Sequence, residues 1–175
     1  LNIMKEIWYF TYHIKAMILV LLGTQNNSFI RLLKAIQKNI DNKVIKDNVV
    51  VQAGFTKFES KDMKIFKMID KNKFSKLQDE ADLIITHGGV GSIISSLEKG
   101  KKVIVAPRLK KYNEHVNNHQ IQIARKFEQQ GYVKCVINMK NLGKIIESIK
   151  DFQPKQYKKS ESNVISIIEN YIDNN

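Results

Sequence analysis

At 175 residues, the chain is long enough for one domain with a single core and too short for two generous ones. Its composition, 43% hydrophobic and 26% charged, is ordinary for a globular protein, and no apolar run approaches the roughly 20 residues that span a bilayer. One cysteine excludes an intramolecular disulfide framework and fits a reducing cytoplasm, while a formal net charge of +12 favours an anionic partner: nucleic acid, a phosphate-bearing ligand or an acidic membrane surface.

Residues 1–16 (LNIMKEIWYFTYHIKA) do not match the rest of the chain in pattern, and Met17 opens a clean apolar run that ends in Gly23. This segment is expected to stand outside the core, either as an addition ahead of Met17 or as a short aromatic stretch lying on a membrane or partner. It lacks the long apolar stretch and small-residue cleavage site of a signal peptide. The single domain is expected over residues 17–175.

From Met17 the signals alternate. Strand-like runs fall at Met17–Leu22, Val49–Gln52, Lys64–Ile69, Asp82–Thr86, Lys102–Ala106 and Val133–Ile137. Helical periodicity marks Phe29, Leu32, Leu33, Ile36 and Ile40, then Ile93, Ile94 and Leu97 before the helix-stop Gly100. It returns at Ile121, Ala124 and Phe127 before Gly131, at Leu142, Ile145, Ile146 and Ile149, and in a closing helix through Val164, Ile165, Ile167, Ile168 and Ile172. Cys135 lies in an apolar run and reads as a buried, inert thiol. Short apolar strands alternating with helices predict an α/β fold: a Rossmann-like parallel sheet with helices on both faces. Ligands bind such sheets beyond the carboxyl ends of the strands, which directs attention to three loops, 23–28, 87–92 and 107–120.

In the second of these, the strand Asp82–Thr86 runs directly into His87-Gly88-Gly89-Val90-Gly91-Ser92 and then a helix. Glycines let the backbone approach a ligand closely, the free amides and dipole of a helix start favour phosphate, and Ser92 could donate a hydroxyl or cap the helix. A tight strand–helix turn that binds nothing explains the glycines equally well. The loop is neither a Walker motif, which needs Gly-Lys-Ser/Thr, nor the dinucleotide fingerprint, whose third Gly is missing.

The stretch Pro107–Ala124 should lie beside it at the same sheet edge. Arg108, Lys110 and Lys111 bring positive charge, and Asn117, Asn118, His119 and Gln120 open a helix with side chains able to read hydroxyls and a base edge. Helix capping is a parallel use of the two asparagines. His115 and His119, four apart, have no further ligand to complete a metal site, so no metal and no cofactor is expected. Gly23-Thr24 after the first strand suits ligand contact and also suits a plain turn.

Taken in order, strand–Gly23-Thr24, Val51-Gln52-Ala53-Gly54, Ile85-Thr86-His87-Gly88-Gly89-Val90-Gly91-Ser92-Ile93, Gly100-Lys101-Lys102-x-Ile104-Val105-x-Pro107-Arg108 and Glu114-His115-x-x-Asn118-His119-Gln120 resemble the C-terminal domain of family 28 glycosyltransferases. The likeness covers about Met17 to Ile149 and is nearest to the stand-alone form, which includes exopolysaccharide and capsule β-1,4-galactosyltransferase subunits and the catalytic subunit of the eukaryotic dolichol-linked N-acetylglucosaminyltransferase. It implies the donor-binding half of a GT-B enzyme, equivalent to its C-terminal half. The glycine loop's amides at Gly88, Gly89, Gly91 and Ser92 would hold the diphosphate of a UDP-sugar, and His119 and Gln120 would contact the donor sugar. The wider expected binding set is Gly23, Thr24, Val90, Arg108 and Asn118, with His87 and His119 as candidate bases. Ser95 stands where a relative's ribose-binding glutamate falls, with Glu98 one turn further.

The implied function is the catalytic subunit of an inverting hexosyltransferase using UDP-galactose or UDP-N-acetylglucosamine, metal-independent since no Asp-x-Asp occurs. A GT-B site is a cleft between two domains, so the acceptor half is expected from a membrane-anchored partner. The chain is then peripheral at the cytoplasmic membrane face and acts on a lipid-linked saccharide in exopolysaccharide, capsule or glycolipid synthesis. The alternative is a non-catalytic enhancer of another transferase, against which the intact loops argue. Nucleic acid is not expected as a partner, because the lysines are scattered rather than interleaved with aromatics.

Overall fold

The computed structural model describes residues 16–158. Nearly all of the expected extension 1–16 and the expected helix through Val164–Ile172 lie outside the described residues.

Five runs rich in Val, Ile and Leu form strands because their side chains are buried on both faces of a sheet. They are β1 (Met17–Leu21), β2 (Asn48–Gln52), β3 (Met63–Phe66), β4 (Leu83–Thr86) and β5 (Lys102–Val105); a two-residue β6 (Lys134–Cys135) completes the sheet. Every pairing is parallel and the order is β3-β2-β1-β4-β5-β6. That is the Rossmann order, in which the chain reverses direction across the sheet between β1 and β4. The helices are α1 (Ile30–Asp41), α2 (Lys71–Glu80), α3 (Val90–Glu98), α4 (His119–Gln129) and α5 (Leu142–Ser148).

The pleat of β1 divides the core. Ile18, Val20 and Leu22 pack with Leu32, Leu33 and Ile36 of α1 and Leu142 and Ile146 of α5, whereas Leu19 and Leu21 pack with Ile93 and Leu97 of α3 and Ala124 and Phe127 of α4. Helices therefore cover both faces, as expected. Each fully buried leucine or isoleucine contributes about 2 kcal/mol, so replacing Leu33 by a charged residue would unseat α1.

Two strands are shorter than expected, β3 and the two-residue β6, and one helix was not expected. The Lys64–Ile69 run is strand only to Phe66; beyond it Lys67–Asp70 turn out to the carboxyl edge, where Met68 is exposed. The helix α2 is absent from the periodic pattern, because only Phe74 and Leu77 are apolar on its inner face, beside the buried polar Gln78. Its start is nonetheless encoded, since the Asp70 side chain accepts the Lys73 N–H at 3.0 Å and caps the first turn.

Candidate functional site

The strand ends set the geometry. Leu21 is level with Gln52 and with Thr86, and one further step of ladder, Leu22 N–H to Gln52 O and His87 N–H to Leu21 O, brings Gly23 and His87 side by side. At this reversal point a crevice of about 520 Å³ opens, bordered by Gly23, Thr24 and Gln25 after β1, by Met68, Ile69, Lys71 and Phe74 after β3, and by His87, Gly89, Gly91 and Ser92 after β4.

His87 forms its floor. The imidazole is buried, its Nδ1 stands 3.3 Å from the Leu21 carbonyl, and its Nε2 edge lies against Gly23 and Gly89. A Cβ at Gly23 would come within 2.6 Å of Nε2, and Gly23 also has φ +78°, so glycine is required there on two counts. A Cβ at Gly89 would collide with the same ring. Burial, seconded by the positive charge of Arg108, lowers the His87 pKa from 6.5 to about 4; the Leu21 carbonyl opposes this and His115 adds slightly to it. At neutral pH the ring is therefore uncharged. With Nδ1–H donated to Leu21, Nε2 is left as an acceptor at the glycine edge.

Above the ring begins α3. Gly89 is its N-cap residue, and Val90, Gly91 and Ser92 form the first turn, whose amides have no intrahelical partner. Ser92 is thus inside the helix and does not cap it. A Cβ at Gly91 would meet nothing within 4 Å, so that edge is open to the crevice. Opposite, Lys71 borders the crevice at the start of α2, whose first turn Asp70 already caps, so one open helix N-terminus and one lysine converge on a cavity whose lining contains no carboxylate. Such a site favours an anion.

In the Pro107–Gln120 stretch the polar side chains are bonded within the protein. Arg108, expected to meet the ligand, is fully buried, and its guanidinium donates to the carbonyls of Asn27, Glu114 and Leu22. Burial disfavours its charge, and Glu114 offsets that. Glu114, itself buried, accepts two bonds of 2.8 Å from Arg31 and one from the Leu109 N–H. Gln120 is buried as well, and its Oε1 accepts from Gly88 N–H at 3.1 Å and Arg108 N–H at 3.0 Å. The Gly88 amide, expected on the diphosphate, is therefore already occupied. Asn118 accepts from the Lys110 N–H, and His119 opens α4 with its own N–H bonded to Asn117 Oδ1. None of Arg108, Asn118, His119 and Gln120 borders the crevice. A second hollow of about 310 Å³ shares Gln25 with it and is closed by Asn26, Asn27, His115 and Val116.

Sequence reasoning missed Met68, Ile69, Lys71 and Phe74. The rule that ligands meet strand carboxyl ends applies to the loop after β3 as well, and the Asp70 capping signal was available to find it. Ser95 and Glu98, weighed for ribose contact, both stand outside the crevice lining. Ser95 accepts from Gln78 Nε2 at 3.0 Å, and Glu98 borders a hollow with Gly100, Lys101 and Pro154 rather than the crevice. Cys135 is half-buried, and burial pushes its thiol up to about 11. No helix among the described residues is long and apolar enough to cross a membrane.

The pattern described as the glycosyltransferase family 28 C-terminal domain matches residues 17–174. The UDP-N-acetylglucosamine transferase subunit ALG13 of Saccharomyces cerevisiae is 44% identical over 59 residues, covering 34% of this chain and 27% of that protein. The Mus musculus protein of the same name is 38% identical over 64 residues, which is 36% of this chain but 5% of that protein, so the chain spans only a small part of these relatives' length. An NMR solution structure of ALG13 superposes with TM-score 0.56 at 20% identity, covering 90% of this chain and 96% of that one. The crystal structure of a kitacinnamycin glycotransferase gives TM-score 0.59 at 18% identity, covering 77% of this chain and 34% of that one. At these identities the structures share the fold: this chain has the architecture of the C-terminal half of a GT-B glycosyltransferase.

Proposed function

This chain belongs to the glycosyltransferase family 28 C-terminal domain family, and from that premise we propose that it is the donor-binding catalytic subunit of an inverting UDP-sugar glycosyltransferase. The observation that carries the reading is the crevice at the β1/β4 reversal, where the first turn of α3, its amides without an intrahelical partner, and Lys71 converge on a lining that contains no carboxylate. A nucleoside diphosphate needs such a setting, because charge builds on it as the glycosidic bond breaks.

In this reading the amides of Val90, Gly91 and Ser92 receive the diphosphate, with Gly23 and Thr24 closing over it. An acceptor hydroxyl attacks the anomeric carbon from the face opposite the leaving UDP, the bond to UDP breaks, and the hydroxyl proton passes to a base. His87, with its pKa lowered to about 4, is a weak base at neutral pH and serves as a hydrogen-bond acceptor that orients the donor. His119 stands outside the crevice. The base and the acceptor site are therefore assigned to a membrane-anchored acceptor-binding subunit, which also holds this chain at the cytoplasmic membrane face. The acceptor is a lipid-linked saccharide of exopolysaccharide, capsule or glycolipid synthesis. The name of the yeast relative supports UDP-N-acetylglucosamine as donor, with UDP-galactose the competing choice.

Calorimetric titration of the chain with UDP tests the proposal. Binding is expected for the wild type and is lost in Gly89→Asp, which sets a carboxylate and a clashing Cβ against His87. No heat with UDP at millimolar concentration would sink it.

A further inference from the structure

The exposed large apolar side chains among the described residues, Ile30, Phe55, Met68, Tyr112 and Val116, all stand at the carboxyl edge of the sheet or on its loops. Two of them form a knuckle on one flank of the crevice. Phe55 follows β2 and is 48% exposed; Met68 follows β3 and is 54% exposed. Their loops are joined by bonds from Ala53 N–H to Phe66 O and Gly54 N–H to Lys67 O, so the two tips advance together. Around them stand Lys57, Lys67, Lys71 and Lys73, all exposed and none in an ion pair among the described residues. The Lys67 ammonium lies 5.5 Å from the Phe55 ring centre, and that of Lys73 lies 4.1 Å from Phe66. Two exposed acids, Asp70 and Glu59, share the flank, so the four lysines outnumber them and the patch stays net positive.

We propose that this flank docks on an anionic bilayer surface, Phe55 and Met68 entering the headgroup layer and the four lysines meeting acidic lipids. Bilayers suit the side chains present. Lysine stems lie along apolar surface while the ammonium stays at the headgroup level, and each such lysine adds about 1 kcal/mol of attraction. A protein partner would be expected to use Arg, Tyr or Trp, and residues 53–76 contain none. The opposite flank, where Tyr112 stacks on Arg31 4.9 Å away, carries that other signature. Because Met68 and Lys71 also border the crevice, docking by this flank would set the crevice mouth at the membrane. The inference stands on the surface alone and requires neither UDP nor transfer.

The test is flotation of the full chain with phosphatidylcholine vesicles, with and without a minority of phosphatidylglycerol. Wild type should float with the acidic vesicles only, and release with salt. The triple variant Lys57→Glu, Lys67→Glu, Lys73→Glu should lose at least about tenfold in vesicle partition, and Phe55→Ser with Met68→Ser should lose several-fold without a charge change. An equal charge reversal elsewhere, Lys126→Glu, Lys140→Glu, Lys144→Glu, should retain most binding. Equal losses in the two triple variants, or no flotation by wild type, would overturn the proposal. So would failure to float if the same lysines proved necessary for capture by a purified acceptor subunit, since the flank would then belong to a protein. Thermal melting of each variant identifies any that fails to fold, and the serine pair then decides. UDP titration on the same samples reads the donor site separately.

Discussion

The two loops that follow β4 and β5 are built on opposite principles. In the glycine loop, His87–Ser92, the backbone amides of a helix start have no partner within the helix, the one titratable ring is held neutral, and Gly91 leaves open space beside it. In the other loop, Pro107–Gln120, which stands behind the crevice and does not line it, the polar side chains are turned inward and satisfied by protein groups: Arg108 on three carbonyls, Glu114 on Arg31 and Leu109, Gln120 on Gly88 and Arg108. Both stretches are rich in residues that can bind ligands. The difference teaches that residue chemistry alone does not distinguish a binding loop from the brace that holds it, because a buried polar group must find partners wherever it lies.

The brace should be the first to break. Glu114→Ala leaves the buried Arg108 and the largely buried Arg31 without their counter-charge, and urea unfolding should record a loss of about 3–5 kcal/mol. A loss under about 1 kcal/mol would mean that the network is not a brace. Next comes His87, whose effect depends on pH. Its folded pKa lies below its unfolded one, so the unfolded chain binds more protons between pH 6.5 and about 4, and stability must fall with falling pH across that window. The decline attributable to His87 is about 3 kcal/mol at most, and His87→Gln should unfold with a correspondingly flatter pH dependence than wild type. Identical pH profiles would show the ring to be solvated.

Gln120→Leu probes the point where the two loops touch. It strands the Gly88 and Arg108 amides, costing about 2 kcal/mol, and because Gly88 then loses its anchor UDP binding should weaken as well. Loss of stability with unchanged UDP affinity would separate the two loops completely. Smallest in stability is Lys71→Ala, exposed at the crevice, which should unfold within about 0.5 kcal/mol of wild type yet bind UDP several-fold more weakly. Such a split, stability from the brace and affinity from the crevice, is what the comparison predicts.

Much of the fold was legible in the chain. Every expected strand and the helices through Phe29–Ile40, Ile93–Leu97, Ile121–Phe127 and Leu142–Ile149 are present within a few residues of their expected bounds. The reason is that a doubly covered parallel sheet writes itself as unbroken apolar runs, and its helices as one-sided periodicity. The helix α2 escaped because its inner face carries only two partly buried apolar side chains, Phe74 and Leu77, beside the buried polar Gln78, so the periodic signal is weak. The glycine loop was legible as well, since only a strand running straight into glycines and a helix makes that turn.

What the sequence determined by itself, then, was local: which runs are strands, where helices start, and that His87–Ser92 approaches something closely. Tertiary structure alone decided direction. Arg108 and Gln120 face inward because the end of β5 brings them against the carbonyls of Leu22 and Asn27 and the amide of Gly88, an environment fixed by strand order and not by spacing along the chain. Met68, Lys71 and Phe74 joined the crevice for the same reason, since the order β3-β2-β1-β4 carries the loop after β3 round to the mouth of β1. Direction depends on which long-range neighbours are present, and a linear pattern does not carry that information.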